Sequence, residues 1–351
     1  MRKIKIKVCN FDQSDPFSYG NFLLKILKKH YDVSVVESDP EYIFFNESVH
    51  DLVNYDCIKI FYTGENIHPN FNIADYAIGC DYLNFGDRYF RLPIYLAAQF
   101  YSDKELSTAG SADFTKDLNF TLEDLKKKTD FCSFVYSNYL GGNERDEIFH
   151  KLSQYKKVNS GGKYLNNIGG RVSNKPEFEM KHKFSIAFEN SSNFGYTTEK
   201  LPNAIVAKTI PIYWGNPLIG KEFNEARFVN CHNFKNLDEV FERVKEIDQN
   251  DELYLKIINE PVKSEYDFEK TMLEFDNFLK HIIDQPISGA KRIRINPVRE
   301  SEIKNSELAV DRYLKRKLFI RKSLAKLYYP FKKFNFLENL KQKYFRKKFH
   351  N

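Results

Sequence analysis

Residues 184–217 read FSIAFENSSNFGYTTEKLPNAIVAKTIPIYWGNP, and the fold turns on this stretch. Phe184, Ile186 and Phe188 alternate as a short strand, whose end hands Glu189 and Asn190 to a polar loop closing at Gly195. Thr197 or Thr198 can then cap a helix with Glu199 and Lys200 in its first turn and Leu201, Ala204, Ile205 and Ala207 on its apolar face. IPIYW follows as a second strand. This is a βαβ unit of an open α/β sheet, a class that takes ligands at the carboxyl ends of its strands. A helix amino terminus with Lys200 beside it suits a phosphate or diphosphate. Glu199 suits a ribose or sugar hydroxyl. A capped helix with an exposed Glu199/Lys200 pair fits the same letters, so the stretch alone leaves the ligand open.

The same rhythm extends outward. Ile4, Ile6 and Val8 alternate in a first strand, residues 22–27 form an apolar helix, and 33–36 and 42–45 follow as short strands. Residues 58–62 run as another strand into the turn Thr63-Gly64-Glu65-Asn66, which presents Glu65 at a strand's carboxyl end. The polar stretch 107–130 reads as a passage between domains. A second half opens with a strand at 131–135 and a helix beginning near Glu144, and Val240, Phe241, Val244 and Ile247 mark a later helix. Two Rossmann-like halves are expected, over residues 1–115 and 116–284, followed by a Pro/Gly-containing linker at 285–310 and a basic tail at 311–351.

Composition supports two cores. The 351 residues are 42% hydrophobic, with 32 Phe and 22 Tyr. Five cysteines, Cys9, Cys57, Cys80, Cys132 and Cys231, are scattered without a CxxC pair and read as reduced, buried thiols. The amino terminus lacks a signal-like apolar stretch, and nothing approaches the ~18 apolar residues of a membrane span. The expectation is a cytoplasmic protein. Net charge is +6, but residues 311–351 hold 14 Lys or Arg against Asp311 and Glu338, which leaves the first 310 residues at about −6. Leu314, Leu318, Leu324, Leu327 and Tyr328, and beyond Pro330 the set Phe334, Leu337, Leu340 and Tyr344, recur at helical spacing among lysines and arginines. Basic amphipathic helices of this kind suit an anionic membrane surface, here the inner face of the cytoplasmic membrane. Packing on the body of the protein is the other use of such helices. No nucleic-acid motif accompanies them.

FENS followed by GYTTEK and KLPNAIVAKTIPIYWG resembles the signature of glycosyltransferase family 10, the α1,3/4-fucosyltransferases, most closely their bacterial Helicobacter-type members. FYTGENIHPNF at 61–71, DYAIG at 75–79 and DRYFRLP at 87–93 resemble that family's amino-terminal motif, and the two blocks stand in the family's order. The resemblance covers about residues 57–262. It implies the GT-B architecture, two Rossmann-like domains facing a cleft. The implied reaction moves L-fucose from GDP-β-L-fucose to the 3-hydroxyl of N-acetylglucosamine in an N-acetyllactosamine-type glycan, with inversion at the anomeric carbon. Lewis x-type product in lipopolysaccharide or another surface glycan is the implied destination. A different GDP-sugar, an α1,4 linkage on type 1 acceptors, and a catalytically idle sugar-binding protein stay open as alternatives.

Roles follow from the resemblance. Glu65 matches the family's proposed general base, with Gly64 bringing the backbone close to substrate. Lys200 and Arg145 match the cations that face the GDP phosphates. Glu199 is expected on ribose or fucose hydroxyls, with Asn190, Tyr196, Thr197 and Thr198 lining the donor pocket. RVSNK resembles the family's V-x-N-K loop, so Val172, Ser173, Asn174 and Lys175 are expected at the nucleotide. Ser137 and Asn138 are further donor-side candidates. With no DxD triplet and no paired histidines, no metal is expected to be required, and a modest stimulation by Mn²⁺ is compatible with that reading. Helicobacter-type members end in basic amphipathic segments held to bind the inner membrane, often after heptad repeats. This chain has no such repeats.

Overall fold

The computed structural model describes residues 1–9, 19–46, 52–96, 117–137, 141–262, 267–293 and 297–328. Two all-parallel sheets organise it. The first contains β1 (Arg2–Val8), β2 (Tyr31–Val35), β3 (Tyr42–Phe45), β4 (Ile58–Tyr62), β5 (Tyr76–Gly79) and β6 (Tyr89–Arg91), in the order β2-β1-β3-β4-β5-β6. The second contains β7 (Asp130–Phe134), β8 (Val158–Ser160), β9 (His182–Phe188), β10 (Ile210–Trp214) and β11 (Val229–Asn230), in the order β11-β10-β9-β7-β8. Each sheet is wound outward from its first strand in both directions. The direction of winding therefore switches between β1 and β3 in one sheet and between β7 and β9 in the other, and a crevice opens at such a switch.

Parallel strands need crossovers that cover both faces, so their sequences are apolar on both sides. β3 shows it: Tyr42 and Phe44 enter one core, and Ile43 and Phe45 enter another. The described α-helices are α1 (Tyr19–Leu27), α2 (Leu122–Lys126), α3 (Asn143–Tyr155), α4 (Lys175–Met180), α5 (Lys200–Val206), α6 (Leu237–Gln249), α7 (Asp251–Ile258), α8 (Phe268–Asp284), α9 (Ile287–Ala290) and α10 (Pro297–Tyr328). All five cysteines are free and buried, as expected from their scatter. The two-domain α/β architecture is the one the sequence implies.

The domain boundaries differ from the sequence expectation. Helix α8, placed by sequence in the second domain, lies on the first: Phe275, Leu279, Ile282 and Ile283 share a core with Ile4, Phe22 and Tyr42. Phe275 stacks on Phe22 at 5.8 Å between ring centroids, and the Tyr31 hydroxyl donates to Asp284 Oδ1 at 2.8 Å. An apolar helical stripe names no partner, and the partner here is reached only by folding back across more than 200 residues. Nor is 285–310 a free linker. α9 falls within it, the Arg292 and Ile293 amides both donate to the buried Asp75 Oδ1, at 2.7 and 3.0 Å, and Arg292 pairs with Asp87 at 2.7 Å. From Pro297 the chain is one helix to Tyr328, so the expected start of the tail at 311 falls inside α10.

On α10, Val310, Tyr313, Phe319 and Ile320 are exposed beside Lys315, Arg316 and Lys317. Among the described residues no helix is long and apolar enough to cross a membrane. The second amphipathic stretch expected after Pro330 lies outside the described residues.

Phe275 is fully buried between Phe22 and Phe90. Phe275→Ala is therefore expected to cost about 3–5 kcal/mol of unfolding free energy. Urea denaturation checks it, and a loss below 1 kcal/mol would show that α8 is not part of the first core.

Candidate active site

Chain reversal puts the functional side chains at the carboxyl ends of β7 and β9. Glu189, the first residue after β9, is fully buried. Its Oε1 accepts from the Thr198 amide at 2.8 Å, and its Oε2 accepts from the Thr198 hydroxyl at 2.6 Å and from Lys200 Nζ at 2.9 Å. One carboxylate thereby closes the loop between β9 and α5. This corrects the capping expectation: neither Thr197 nor Thr198 caps α5. Thr198 is spent on Glu189, Thr197 Oγ1 accepts from Asn216 Nδ2 at 3.2 Å, and Glu199 holds the cap position without a side-chain bond.

Charges alternate through this region. Lys200 lies 2.9 Å from Glu189 and 3.5 Å from Glu199, and Lys175, at the start of α4, lies 3.7 Å from the buried Glu179. Burial opposes the Lys200 ammonium, but the Glu189 and Glu199 carboxylates outweigh it and hold its pKa well above the ordinary lysine value. For Glu199, partial burial raises the carboxyl, and Lys200 and Lys175 together hold it below the usual range. Complete burial pushes Glu189 up while Lys200 works against that shift. The ladder thus presents a firmly protonated lysine and an ionised glutamate at the edge of the cleft.

Arg145, in the first turn of α3, is 1% exposed. Its guanidinium lies 4.5 Å from the Tyr136 ring centroid and 5.6 Å from that of Tyr164, and Nη1 donates to Asn190 Oδ1 at 3.4 Å. Burial lowers its pKa, the two phenols oppose the shift, and a guanidinium stays charged regardless. Asn190 thus links Arg145 to the strand that carries Glu189. Its burial rules out a surface ion pair with the adjacent Glu144 or Asp146.

Glu65 comes from the other domain. Its amide donates to Thr63 Oγ1 at 3.0 Å, which tightens the turn after β4 and leaves the carboxylate exposed. Neighbouring Asn66 crosses the cleft: Nδ2 donates to Ser191 Oγ at 2.7 Å, and Oδ1 accepts from Asn193 Nδ2 at 2.8 Å. Glu65 is therefore tied by the next residue to the loop that leads to Lys200. Tyr196 registers both sides. Its phenol is pushed up by burial, then by Glu189, against Lys200, and further by Glu65. Gly195 has φ +92°, and a Cβ there would sit 2.2 Å from the Cys80 carbonyl oxygen of the opposite domain. Only glycine lets the loops approach this closely.

Of the other sequence candidates, Lys175 joins the charge ladder, while Asn174 caps α4 by accepting from the Glu177 amide at 3.2 Å. Val172 is half-buried, its amide on the Gly161 carbonyl at 2.9 Å, and Ser173 is exposed. Ser137, just after β7, is exposed and accepts from Arg171 Nη2 at 3.5 Å. Gly64 is exposed with open space where a side chain would be. Asn138 lies outside the described residues. The sequence reading assigned no role to Glu189, Asn193, Asn216, Arg91 or Glu222. Glu189 was legible as a carboxylate at a strand end, whereas the other four act through contacts that no local pattern announces.

The two sides offer different chemistry. Arg145 and Lys200 present two fixed positive charges suited to a diphosphate, and Glu199 and Asn190 present acceptors for hydroxyls. Facing them is an exposed carboxylate, Glu65, able to accept a proton. Among the described residues no three His, Cys, Asp or Glu side chains converge as a metal site.

Removing Lys200 would strand the buried Glu189 carboxylate. Lys200→Met is expected to lose about 3–5 kcal/mol of stability, and adding Glu189→Gln to recover most of it. Chemical denaturation of the single and double variants decides the matter: equal stabilities would mean that the pair is not an ion pair.

The family model described as Alpha-(1,3)-fucosyltransferase FucT N-terminal domain matches residues 6–98, and that described as Glycosyltransferase family 10 (fucosyltransferase) C-term matches residues 125–277. The chain is 34% identical over 288 residues to the Alpha-(1,3)-fucosyltransferase FucT of Helicobacter pylori, covering 73% of this chain and 60% of that protein, so it spans less than two thirds of the relative's length. It is similar to a crystal structure of α1,3-fucosyltransferase with GDP, at TM-score 0.66 and 31% identity, covering 80% of this chain and 91% of that one. The corresponding structure with GDP-fucose aligns at TM-score 0.64 and 30% identity, covering 82% and 93%.

Proposed function

The chain belongs to glycosyltransferase family 10, and from that membership and the divided cleft we propose that it transfers L-fucose from GDP-β-L-fucose to the 3-hydroxyl of N-acetylglucosamine in an N-acetyllactosamine-type glycan. One observation carries the reading. Asn66, adjacent to Glu65, is bonded to Ser191 and Asn193 of the loop that ends at Lys200, which supports reading Glu65 as the base opposite the cationic side of one cleft. Relatives solved with GDP and with GDP-fucose support the choice of donor.

In the proposed step the acceptor 3-hydroxyl oxygen attacks the anomeric carbon of fucose from the face opposite the diphosphate. Its proton passes to a Glu65 carboxylate oxygen as the new carbon–oxygen bond forms. The bond from that carbon to the β-phosphate oxygen breaks in the same displacement, and its electron pair leaves with GDP. Configuration at the anomeric carbon inverts. Arg145 and Lys200 hold the charge that grows on the diphosphate, and their fixed positions in a partly buried site make that stabilisation stronger than water would give. Glu199, kept ionised by Lys200 and Lys175, accepts from ribose or fucose hydroxyls.

With two cations facing the leaving group, the reaction as proposed needs no metal. Transfer is expected to persist in EDTA, and complete loss that added Mn²⁺ restores would overturn this part of the reading. Glu65→Gln keeps the shape of the side chain and removes the base, so transfer to a type 2 lactosamine acceptor is expected to fall by about 10²–10⁴-fold while GDP-fucose affinity holds. Radiolabelled transfer with parallel calorimetric titration of GDP-fucose tests it. Full transfer by Glu65→Gln would remove the base assignment. A wild-type protein that binds GDP-fucose yet fucosylates neither type 1 nor type 2 acceptors would remove the function.

A further inference from the structure

Three cations gather around one turn at the opposite edge of the second sheet, before β7 and β10 rather than after them. Arg227 is fully buried; its Nη1 donates to the Thr209 carbonyl at 3.2 Å, and its Nε and Nη2 have no hydrogen-bond partner. Half-buried Lys128 donates from Nζ to the Ala207 carbonyl at 3.3 Å and the Met180 carbonyl at 2.8 Å, with the Phe120 ring 5.7 Å away. Lys208 lies between the two carbonyl-bearing residues, exposed and at φ +52°. Burial pushes Lys128 down to about 7, and Lys208 and Arg227 push it the same way. Burial likewise pushes Arg227 down to about 10, opposed only by the Tyr254 phenol.

Among the described residues no carboxylate pairs with Lys128 or Arg227. That sets the cluster apart from the buried charges held in ion pairs, and from Arg145, which meets two phenol rings and Asn190. Lys200 is paired with Glu189, Glu222 with Arg91, and Asp248 with Lys156 and Lys183. A fully buried guanidinium with two unmet donors and no paired carboxylate among the described residues is costly to carry, and an ordered water or a bound ion is one way such a group is satisfied. The planar fork of arginine matches a tetrahedral oxyanion in two places at once.

We propose that this cluster is a binding site for a small inorganic oxyanion of the phosphate or sulfate type, with Arg227 as its floor and Lys128 and Lys208 at its mouth. The anion enters as Lys128 exchanges one of its carbonyl contacts for the ligand. It ties the segment leading into β7, which carries Lys128, to the turn leading into β10, which carries Lys208. The site is remote from Glu65, Arg145 and Lys200 and does not depend on the activity proposed for them.

The test compares melting temperatures of the wild type, Arg227→Met and Lys208→Ala in HEPES, with and without inorganic phosphate, against chloride at matched ionic strength. Wild type is expected to gain thermal stability saturably with phosphate beyond the chloride effect. Arg227→Met, freed of an uncompensated charge, is expected to melt higher than wild type without phosphate and to lose the phosphate increment while keeping any increment from GDP. Lys208→Ala, a surface change, is expected to fold normally and to need several-fold more phosphate for half its effect. Two results would overturn the proposal: a lower melting temperature for Arg227→Met without phosphate, or an unchanged phosphate increment in the variants, which would mark a general salt effect. If Arg227→Met does not fold, the Lys208→Ala titration decides alone.

Discussion

The buried carboxylate of Glu222 holds the two domains in register. Its Oε1 accepts from Arg91 Nη2 at 2.6 Å, from the Tyr82 hydroxyl at 2.9 Å and from Asn216 Nδ2 at 3.1 Å. Arg91 and Tyr82 belong to the first domain, and Glu222 and Asn216 to the second. Arg91 also reaches the Gly195 carbonyl at 3.4 Å, and Asn216 Oδ1 accepts from the Gly195 amide at 2.9 Å. The same network that joins the domains therefore holds both the N–H and the C=O of Gly195, in the loop between β9 and α5. Breaking a buried pair by removing one partner typically costs about 3–5 kcal/mol, enough to let such a cleft gape.

What the clamp positions is a row of alternating charges. Glu179, Lys175, Glu199, Lys200 and Glu189 are each stabilised by the neighbour of opposite sign, and the row ends in a carboxylate sealed from water. Local pairing of this sort keeps a lysine protonated in a partly buried place where desolvation alone would neutralise it. Arg145 reaches the same end by a different route, sandwiched by Tyr136 and Tyr164 and bonded to Asn190. Both cations are fixed before any ligand arrives, so little reorganisation is needed when charge appears on a leaving group.

Much of this was legible one residue at a time. The alternation in FSIAF and IPIYW, the polar FENS at a strand end and the turn at YTGEN each followed from local patterns, and the structure places each where a parallel sheet would put it. Thr198 shows where local reading fails: as a residue before a helix it looks like a cap, and burial of Glu189 redirects it. α8 shows the same limit for packing, since Phe275, Leu279, Ile282 and Ile283 make an apolar stripe whose partner is β1 and α1 rather than anything near it in sequence. DYAIG and DRYFRLP resemble parts of the family's amino-terminal motif, and in the structure Asp75 and Arg88 serve the backbone: Asp75 Oδ2 accepts from the Lys59 amide, and Arg88 donates to the carbonyls of Phe71, Ala74 and Asp75.

By itself the sequence determined the two parallel α/β units, the strand ends at which Glu65, Glu189 and Asn190 emerge, and the family to which the motifs belong, because periodicity and turn chemistry act over a few residues. Tertiary structure alone decided that Asn66 meets Ser191 and Asn193, that Arg91 meets Glu222, that Lys175 and Lys200 share Glu199, and that Arg227 is buried with two of its donors unmet. Apart from the adjacent Glu199 and Lys200, those pairings join residues from about 25 to more than 130 positions apart. The free energy of such contacts depends on burial and on opposite charge brought within a few ångströms, quantities that exist only once the chain has folded.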